Sequence, residues 1–232
     1  VEEVQLEAAF SSIGSFAIVG EPIGVFYGTQ WVRNGNGDII IGENGLPSIA
    51  PQSGNVGSWI PDWTAGIRNT FSYKDLTLSF FLDFRKGGDI WNGTKARMNN
   101  VGTSADSEDR ERMYVVEGVD INGSPNTVAI DAQTYFKNVV GDAGGAAEEF
   151  VETVDWVRLR DLSLSYRLRF SETAKISFLD FTFTGRNLWL STNYTGVDPE
   201  TSLTGAGSNL NGFDYFNNPN TRSYRLAVSF SF

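Results

Sequence analysis

Residues 63–86 read WTAGIRNTFSYKDLTLSFFLDFRK, and their period decides the fold. In the first half Trp63, Ala65, Ile67, Phe71 and Tyr73 fall on one side of an extended chain, with Thr64, Gly66, Arg68, Thr70 and Ser72 on the other. In the second half Leu76, Leu78, Phe80, Leu82 and Phe84 alternate with Thr77, Ser79, Asp83 and Arg85. Side chains repeat every two residues along a strand, so each half reads as a strand that is apolar on one face only. Lys74 and Asp75 alone separate them, which predicts a tight antiparallel hairpin.

Three further segments carry the same period. Leu162, Leu164, Tyr166, Leu168 and Phe170 alternate with Ser163, Ser165, Arg167 and Arg169. Residues 177–190 set Leu179, Phe181, Phe183 and Trp189 against Asp180, Thr182, Thr184 and Arg186. The C-terminal stretch sets Tyr224, Leu226, Val228, Phe230 and Phe232 against Ser223, Arg225, Ala227, Ser229 and Ser231. A sixth, less regular strand is expected near the start. The connections alternate in length: short at 74–75 and about 171–175, long at about 34–60, 87–153 and 193–219.

Soluble antiparallel sandwiches also alternate, so a soluble β-rich module that binds carbohydrate or protein is the competing reading. Three features favour a membrane barrel. The polar face holds Arg, Asp, Ser and Thr, as a wet lumen requires, and Leu and Phe dominate the other face. Structureless loops of such length are uncommon in compact domains. Aromatic residues gather at the strand ends: Trp63, Trp156 and Trp189 toward the long loops, Tyr73, Phe170 and Phe232 toward the short turns, as two interfacial girdles would place them.

Composition removes other classes. The chain has 232 residues, 28 acidic and 18 basic side chains, and no Cys or His. Thiol and imidazole nucleophiles, disulfides and His- or Cys-ligated metal sites are excluded within it. The remaining carboxylates, Lys and Tyr show no paired spacing suited to general acid–base work, so neither an enzyme nor a cofactor is expected. A net charge of −10 argues against nucleic acid as a partner. No apolar run reaches the ~18 residues of a spanning helix, and VEEVQLEAAF (1–10) lacks the features of a signal peptide.

Five stretches together carry a family resemblance: VGEPIGVFYG (19–28), IPDWTAGIRNTFSYKDLTLSFFLDFRKGGDIWN (60–92), VDWVRLRDLSLSYRL (154–168), FTGRNLWLSTNYTGVDPE (183–200) and RSYRLAVSFSF (222–232). In this order and spacing the chain resembles the C-terminal part of SusC/RagA-like TonB-dependent outer-membrane transporters of Bacteroidetes. The resemblance implies an all-β fold, namely the last five or six strands of a 22-stranded antiparallel transmembrane β-barrel with long extracellular loops. Residues 1–232 would then be the C-terminal portion of the barrel, with the plug domain and earlier strands outside this chain.

The implied activity is active import of oligosaccharides or oligopeptides across the outer membrane. The implied partners are the rest of the barrel and its plug, a SusD-like surface lipoprotein, TonB reached through the absent N-terminal region, outer-membrane lipid, and a second SusC–SusD pair in a dimer. Chain parity under this resemblance puts the C-terminus in the periplasm and all three long loops outside the cell.

Several positions become candidate sites. Tyr224, Leu226, Val228, Phe230 and Phe232 match a barrel insertion signal, and Trp63, Tyr73, Trp156, Phe170 and Trp189 the aromatic girdles. Between 103 and 155 twelve acidic side chains face three basic ones, so an excess of nine, nearly the whole net charge, sits in one loop. Asp106, Glu108, Asp109, Glu111, Glu148 and Glu149 represent this acidic extracellular segment, either a solvated loop or a contact surface for a lid.

Asn34, Asn36 and Asp38 have calcium-loop spacing. Ile39 and Gly45 stand where Gly and a bidentate Glu belong, so a plain turn is expected there. Arg68, Asp83, Arg85, Arg158, Arg160 and Arg186 are expected to pair inside the lumen. Tyr114, Tyr135, Phe213, Tyr215 and Phe216 are available for ligand stacking or loop packing. Deleting Phe232 from the full-length protein is expected to lower its amount in isolated outer membranes, and an unchanged level would refute the signal.

Overall fold

The computed structural model describes residues 3–10, 12–171, 175–205 and 207–232. Along the chain lie β1 (Glu3–Phe10), β2 (Ile13–Ile18), β3 (Val25–Gly28), β4 (Gly54–Ser58), β5 (Trp63–Tyr73), β6 (Leu76–Lys86) and β7 (Asp89–Asn92). Helix α1 (Gly93–Val101), β8 (Met113–Val115), β9 (Ala129–Asp131), helix α2 (Ala132–Asn138) and β10 (Val151–Thr153) follow. The chain continues through β11 (Trp156–Arg169), β12 (Phe178–Thr192), β13 (Phe213–Asp214) and β14 (Ser223–Ser231). Neither helix is long and apolar enough to cross a membrane.

Two units divide these elements. One comprises residues 61–87, 154–195 and 219–232, and holds a five-stranded sheet in the order β14-β12-β11-β6-β5 with every neighbouring pair antiparallel. Tyr73 pairs with Leu76, so Lys74 and Asp75 close a two-residue turn in which Lys74 takes a left-handed φ of 54°. The other short turn, expected at about 171–175, includes residues 172–174, which lie outside the described residues. Phe170 N–H donates to the Ser177 carbonyl across its base (3.1 Å). The sheet is open: β5 and β14 each pair on one side only among the described residues.

Register across this sheet is broken at one line. Leu159 faces Leu82 on one side and Trp189 on the other, whereas the next matched row is Asp161 with Phe81 and Arg186. Between the two rows β6 advances one residue, β11 two and β12 three. Each strand therefore carries one more residue than its neighbour, a bulge that grows across the sheet and, in β11, swaps the faces assigned to odd and even positions. Asn187, inside the bulge, adopts a φ of 52°.

The second unit comprises residues 1–60, 88–153 and 196–218, which include most of the three long connections. These segments are not free loops. β1-β2-β3-β4 form one sheet, and the regular strands near the start belong to it. β7 joins β10 antiparallel and β13 parallel, tying residues 89–92, 151–153 and 213–214 together. Ile13, Phe26, Trp91, Ala96, Ala147, Phe150, Leu210 and Phe213 make a shared core drawn from all three segments. Phe213 is fully buried, with ring centroids 4.9 Å from Phe26 and 5.9 Å from Trp91.

Helix α1 starts where the Asn92 side chain accepts from Lys95 N–H (3.0 Å), and ends at Gly102, whose φ of 71° suits only glycine without strain. A second small core of Ile41, Val116, Ile130 and Val139 holds the β8–β9 hairpin, α2 and the 39–46 segment. Removing a buried phenyl group costs about 3–5 kcal/mol. Phe213→Ala is expected to speed amide exchange in β7, β10 and β3 strongly while exchange in the five-stranded sheet stays unchanged.

Candidate functional site

The outward face of the five-stranded sheet is a continuous apolar surface. Ile67, Phe71, Leu78, Leu164, Phe183, Leu226, Val228 and Phe230 are all exposed on it. Of the five aromatic girdle positions, Trp63, Tyr73, Phe170 and Trp189 are exposed, from 41% for Phe170 to 72% for Tyr73. Trp156 is the exception and corrects the sequence reading. It pairs in register with Arg85 and Thr192 on the polar face and is only 7% exposed. Extending the even-numbered apolar face from Leu162 back to Trp156 would put it outside; the bulge at Arg160–Asp161 reverses the parity and turns it in. Among the terminal signal residues, Tyr224, Leu226, Val228, Phe230 and Phe232 share one exposed face.

The opposite face is built from hydroxyls and ion pairs arranged in rows. Thr70 donates to Ser79 (3.2 Å), and Ser72 with Thr77, Ser163 with Thr184 and Ser165 with Thr182 lie 2.9–3.2 Å apart. Arg167 grips Asp180 through two bonds of 2.7 Å, and Arg160 holds Asp83 through Nε (2.8 Å) and Nη2 (2.6 Å). Arg169 donates to Asp75 (2.7 Å), and Arg186 lies 3.7 Å from Asp161. Bidentate Arg–carboxylate pairs are the stronger kind, so these charges serve mainly to hold neighbouring strands to one another.

Two inner-face cations lie over rings: Arg68 stands 4.9 Å from the Phe81 ring and Arg160 5.2 Å from that of Trp156. Phe81 was missed in the alternation. The Phe80-Phe81 doublet, which breaks the period, was its signal.

The acidic residues separate into two groups. Asp106, Glu108, Asp109 and Glu111 are exposed on one short stretch. Glu148 and Glu149 instead form a clasp. Glu148 accepts from the Trp31 backbone N–H (3.0 Å) and from Arg33 (3.1 Å), and Glu149 accepts from the Trp31 indole N–H (3.3 Å). Desolvation pushes the Glu149 carboxyl above its ordinary value; the indole bond pulls it back, and the charge of Glu148 raises it further. Nothing in the spacing of residues 31–33 and 148–149 announced this contact, since it joins segments more than a hundred residues apart.

The Asn34 turn closes on itself. Its side-chain oxygen accepts from the N–H groups of Asn36 (2.9 Å) and Asp38 (3.0 Å), and its amide donates to the Asp38 carboxylate (3.0 Å). Asp120 makes a similar turn with Asn122 and Ser124, whose N–H groups, Ser124 first, hold its carboxyl below the usual range. Of the loop aromatics, Phe213 belongs to the core, and Tyr114 stacks on Tyr135 at 4.2 Å and 4°. Tyr215 lies 4.7 Å from Phe10, while Phe216 is 55% exposed.

An open antiparallel sheet with an apolar outer face, a hydroxyl and ion-pair inner face and bare edges is a segment of a transmembrane β-barrel. Sequence and structure comparisons agree on which kind. No protein-family model matches the chain. It is 26% identical over 238 residues to TonB-dependent receptor P3 of Formosa agariphila, covering 92% of this chain and 22% of the relative. It is 26% identical to TonB-dependent receptor P26 of the same organism, covering 93% of this chain and 23% of that one.

The fold matches structures of the RagAB peptide importer in its 'open-open' and 'closed-closed' states, with TM-scores of 0.63 and 0.62 at 18% identity. All of this chain, and 24% and 25% of those chains, are covered. The chain thus spans about a quarter of the length of the proteins it matches. Its resemblance to SusC/RagA-like TonB-dependent outer-membrane transporters holds in both sequence and fold, and an outer-membrane location follows from these relatives.

One titration is testable in the loop unit. The N–H of Thr134, then its hydroxyl, hold the Asp131 carboxyl at the start of α2 below the usual range. A depressed carboxylate contributes stability above its unfolded value, ~3.9, and loses it as pH falls through the folded value. Exchange-corrected amide protection of residues 132–138 is expected to fall on acidification in the native protein and to stay level in Asp131→Asn, which keeps the cap without the titration. Identical profiles would refute the assignment.

Proposed function

We propose that residues 1–232 are the C-terminal barrel portion of a TonB-dependent active importer that works with a SusD-like surface lipoprotein. The reading rests on one observation: a sheet whose outer face is apolar and whose edges β5 and β14 each pair on one side only among the described residues. In hydrocarbon each unsatisfied backbone group costs several kcal/mol, so both edges need strands from the rest of a closed barrel. In a soluble binding module the same apolar face would meet water without a partner. That counts against the competing reading.

In this arrangement the segments 34–60, 87–153 and 193–219 lie outside the cell, and the 74–75 turn and the C-terminus lie in the periplasm. The co-folded long segments form part of the mouth, under the lipoprotein. A plug in the remainder of the protein would be displaced through TonB, and the cargo would be an oligosaccharide or an oligopeptide. Two such transporter–lipoprotein pairs would associate as a dimer. That the solved structures it matches are described as a peptide importer supports this class of cargo.

The chain has no cysteine, so in a full-length background freed of any cysteine elsewhere single-cysteine labelling reads its topology. Ile121, 83% exposed in the second long segment, and Lys74 in the short turn are the two probe sites. On intact cells an impermeant maleimide is expected to label Ile121→Cys, and Lys74→Cys only after lysis. The full-length protein should require detergent for extraction, migrate faster unheated than heated in SDS gels, and co-purify with a lipoprotein. The reverse labelling pattern, or release into buffer as a folded monomer, would overturn the reading.

A further inference from the structure

The NGNGD turn at residues 34–38 has no part in the transport reading. It holds two of the six Asn–Gly pairs of the chain, which begin at Asn34, Asn36, Asn44, Asn92, Asn122 and Asn211. Such pairs are chemically weak points. Glycine has no Cβ, so its backbone nitrogen can approach the side-chain carbonyl carbon of the asparagine before it. The reaction needs an asparagine side chain free to swing over the main chain and a glycine with room to move.

The structure treats the six pairs differently. Three glycines are walled in: a Cβ at Gly45 would stand 2.9 Å from the Val128 and Ile130 side chains, one at Gly212 would stand 2.8 Å from Phe26, and Gly93 lies against the Trp91 ring. Their asparagines are tied down as well. Asn44 accepts from Leu46 N–H (3.1 Å), Asn92 accepts from Lys95 N–H (3.0 Å) and donates to Glu152 (2.9 Å), and Asn211 donates to the Ser208 carbonyl (3.4 Å).

Gly35, Gly37 and Gly123 have open space on that side, so there the asparagine side chain decides. Asn34 is locked by its bonds to Asn36 and Asp38. The Asn122 side chain bonds the Asp120 carboxylate. Asn36 is exposed, and among the described residues its side chain makes no hydrogen bond; only its backbone N–H is engaged, by the Asn34 side chain. The Gly37 N–H donates to the Asn34 carbonyl (3.0 Å), as the Gly123 N–H does to that of Asp120 (3.0 Å), so this bond does not separate the two turns.

We propose that Asn36 is a covalent modification site, at which the Gly37 nitrogen attacks the side-chain carbonyl carbon and expels ammonia. The new C–N bond closes a succinimide ring, the bond that breaks is that of the side-chain amide, and the proton lost by the Gly37 nitrogen leaves with the ammonia. Water then adds to either ring carbonyl and opens the ring to aspartate or isoaspartate, with no oxidation or reduction. In isoaspartate the main chain runs through the side-chain carbon and is one atom longer. The change falls just before the Gly37 carbonyl, which accepts from Arg33 (3.1 Å), and Arg33 also reaches Glu148 (3.1 Å). The modified turn thus alters the anchor of the arginine that serves the Glu148 clasp. The inference rests on the chemistry of this turn and holds whatever the protein carries.

The test ages the full-length protein in detergent, in mildly alkaline heavy-oxygen water, and follows each Asn–Gly peptide by mass spectrometry, with isoaspartate told from aspartate by electron-transfer fragmentation. In the folded protein Asn36 is expected to convert about tenfold faster, or more, than the other five, the factor that one side-chain hydrogen bond of ordinary net strength sets. In urea, where those bonds are lost, the six rates should converge. Asp120→Ala, which frees Asn122, should raise the rate at Asn122 toward that of Asn36 and leave Asn36 unchanged. Asn36→Gln, whose longer side chain closes the ring poorly, should lose the product at this position.

Equal rates at the six pairs in the folded protein, faster conversion at any of the other five, the same order of rates in urea as in the fold, or an Asn122 rate that Asp120→Ala does not move would each overturn the assignment. None of these results bears on the transport reading, which rests on the five-stranded sheet.

Discussion

Backbone amides in hydrocarbon have no water to fall back on, and the rest of this structure follows from that constraint. Each strand of the five-stranded sheet must find its hydrogen bonds in a neighbour. Once strands are paired, side chains are forced to alternate between two environments. Leu and Phe take the face that meets lipid; Ser, Thr, Arg and Asp take the other. The hydroxyl rows across β5, β6, β11 and β12, and the Arg167–Asp180 and Arg160–Asp83 pairs, are what that alternation leaves inside. The same constraint makes β5 and β14 incomplete as edges.

Outside the sheet the constraint relaxes and a different logic takes over. The long connections are exposed to water, yet they carry Trp91, Phe150 and Phe213, which water disfavours. Burying these rings together requires segments distant in sequence to meet, and the β10-β7-β13 sheet and the Glu148–Glu149 clasp on Trp31 and Arg33 hold the meeting in place. Most of the negative charge of the chain lies in this unit, and it is not one featureless patch. Glu148 and Glu149 are structural, Asp120 and Asp131 close a turn and a helix cap, and Asp106 through Glu111 remain open to solvent.

The bulge across β6, β11 and β12 shows where local reading stops. The faces of β5, of β6 and of β11 beyond residue 161 were legible from period alone, because each is set by its own alternation. Trp156 was not, because its side depends on how many residues β11 inserts between two rows shared with its neighbours. The Phe80-Phe81 doublet hinted at an interruption in β6, but the extra residues lie in β11 and β12, where the pattern gives no warning.

By itself the sequence determined the positions of the five strands β5, β6, β11, β12 and β14, the antiparallel hairpin at Lys74–Asp75, most of their apolar and polar faces, the lengths of the connections and the resemblance to TonB-dependent receptors. These are properties of residues close together along the chain, and a period of two or a run of motifs records them directly. Tertiary structure alone decided that the long connections fold into one unit with a shared core, that Trp156 turns inward, and that Glu148 and Glu149 clasp Trp31. Those contacts join residues tens to more than a hundred positions apart, and their register is set by packing and by inserted residues in neighbouring strands, neither of which leaves a local periodic mark.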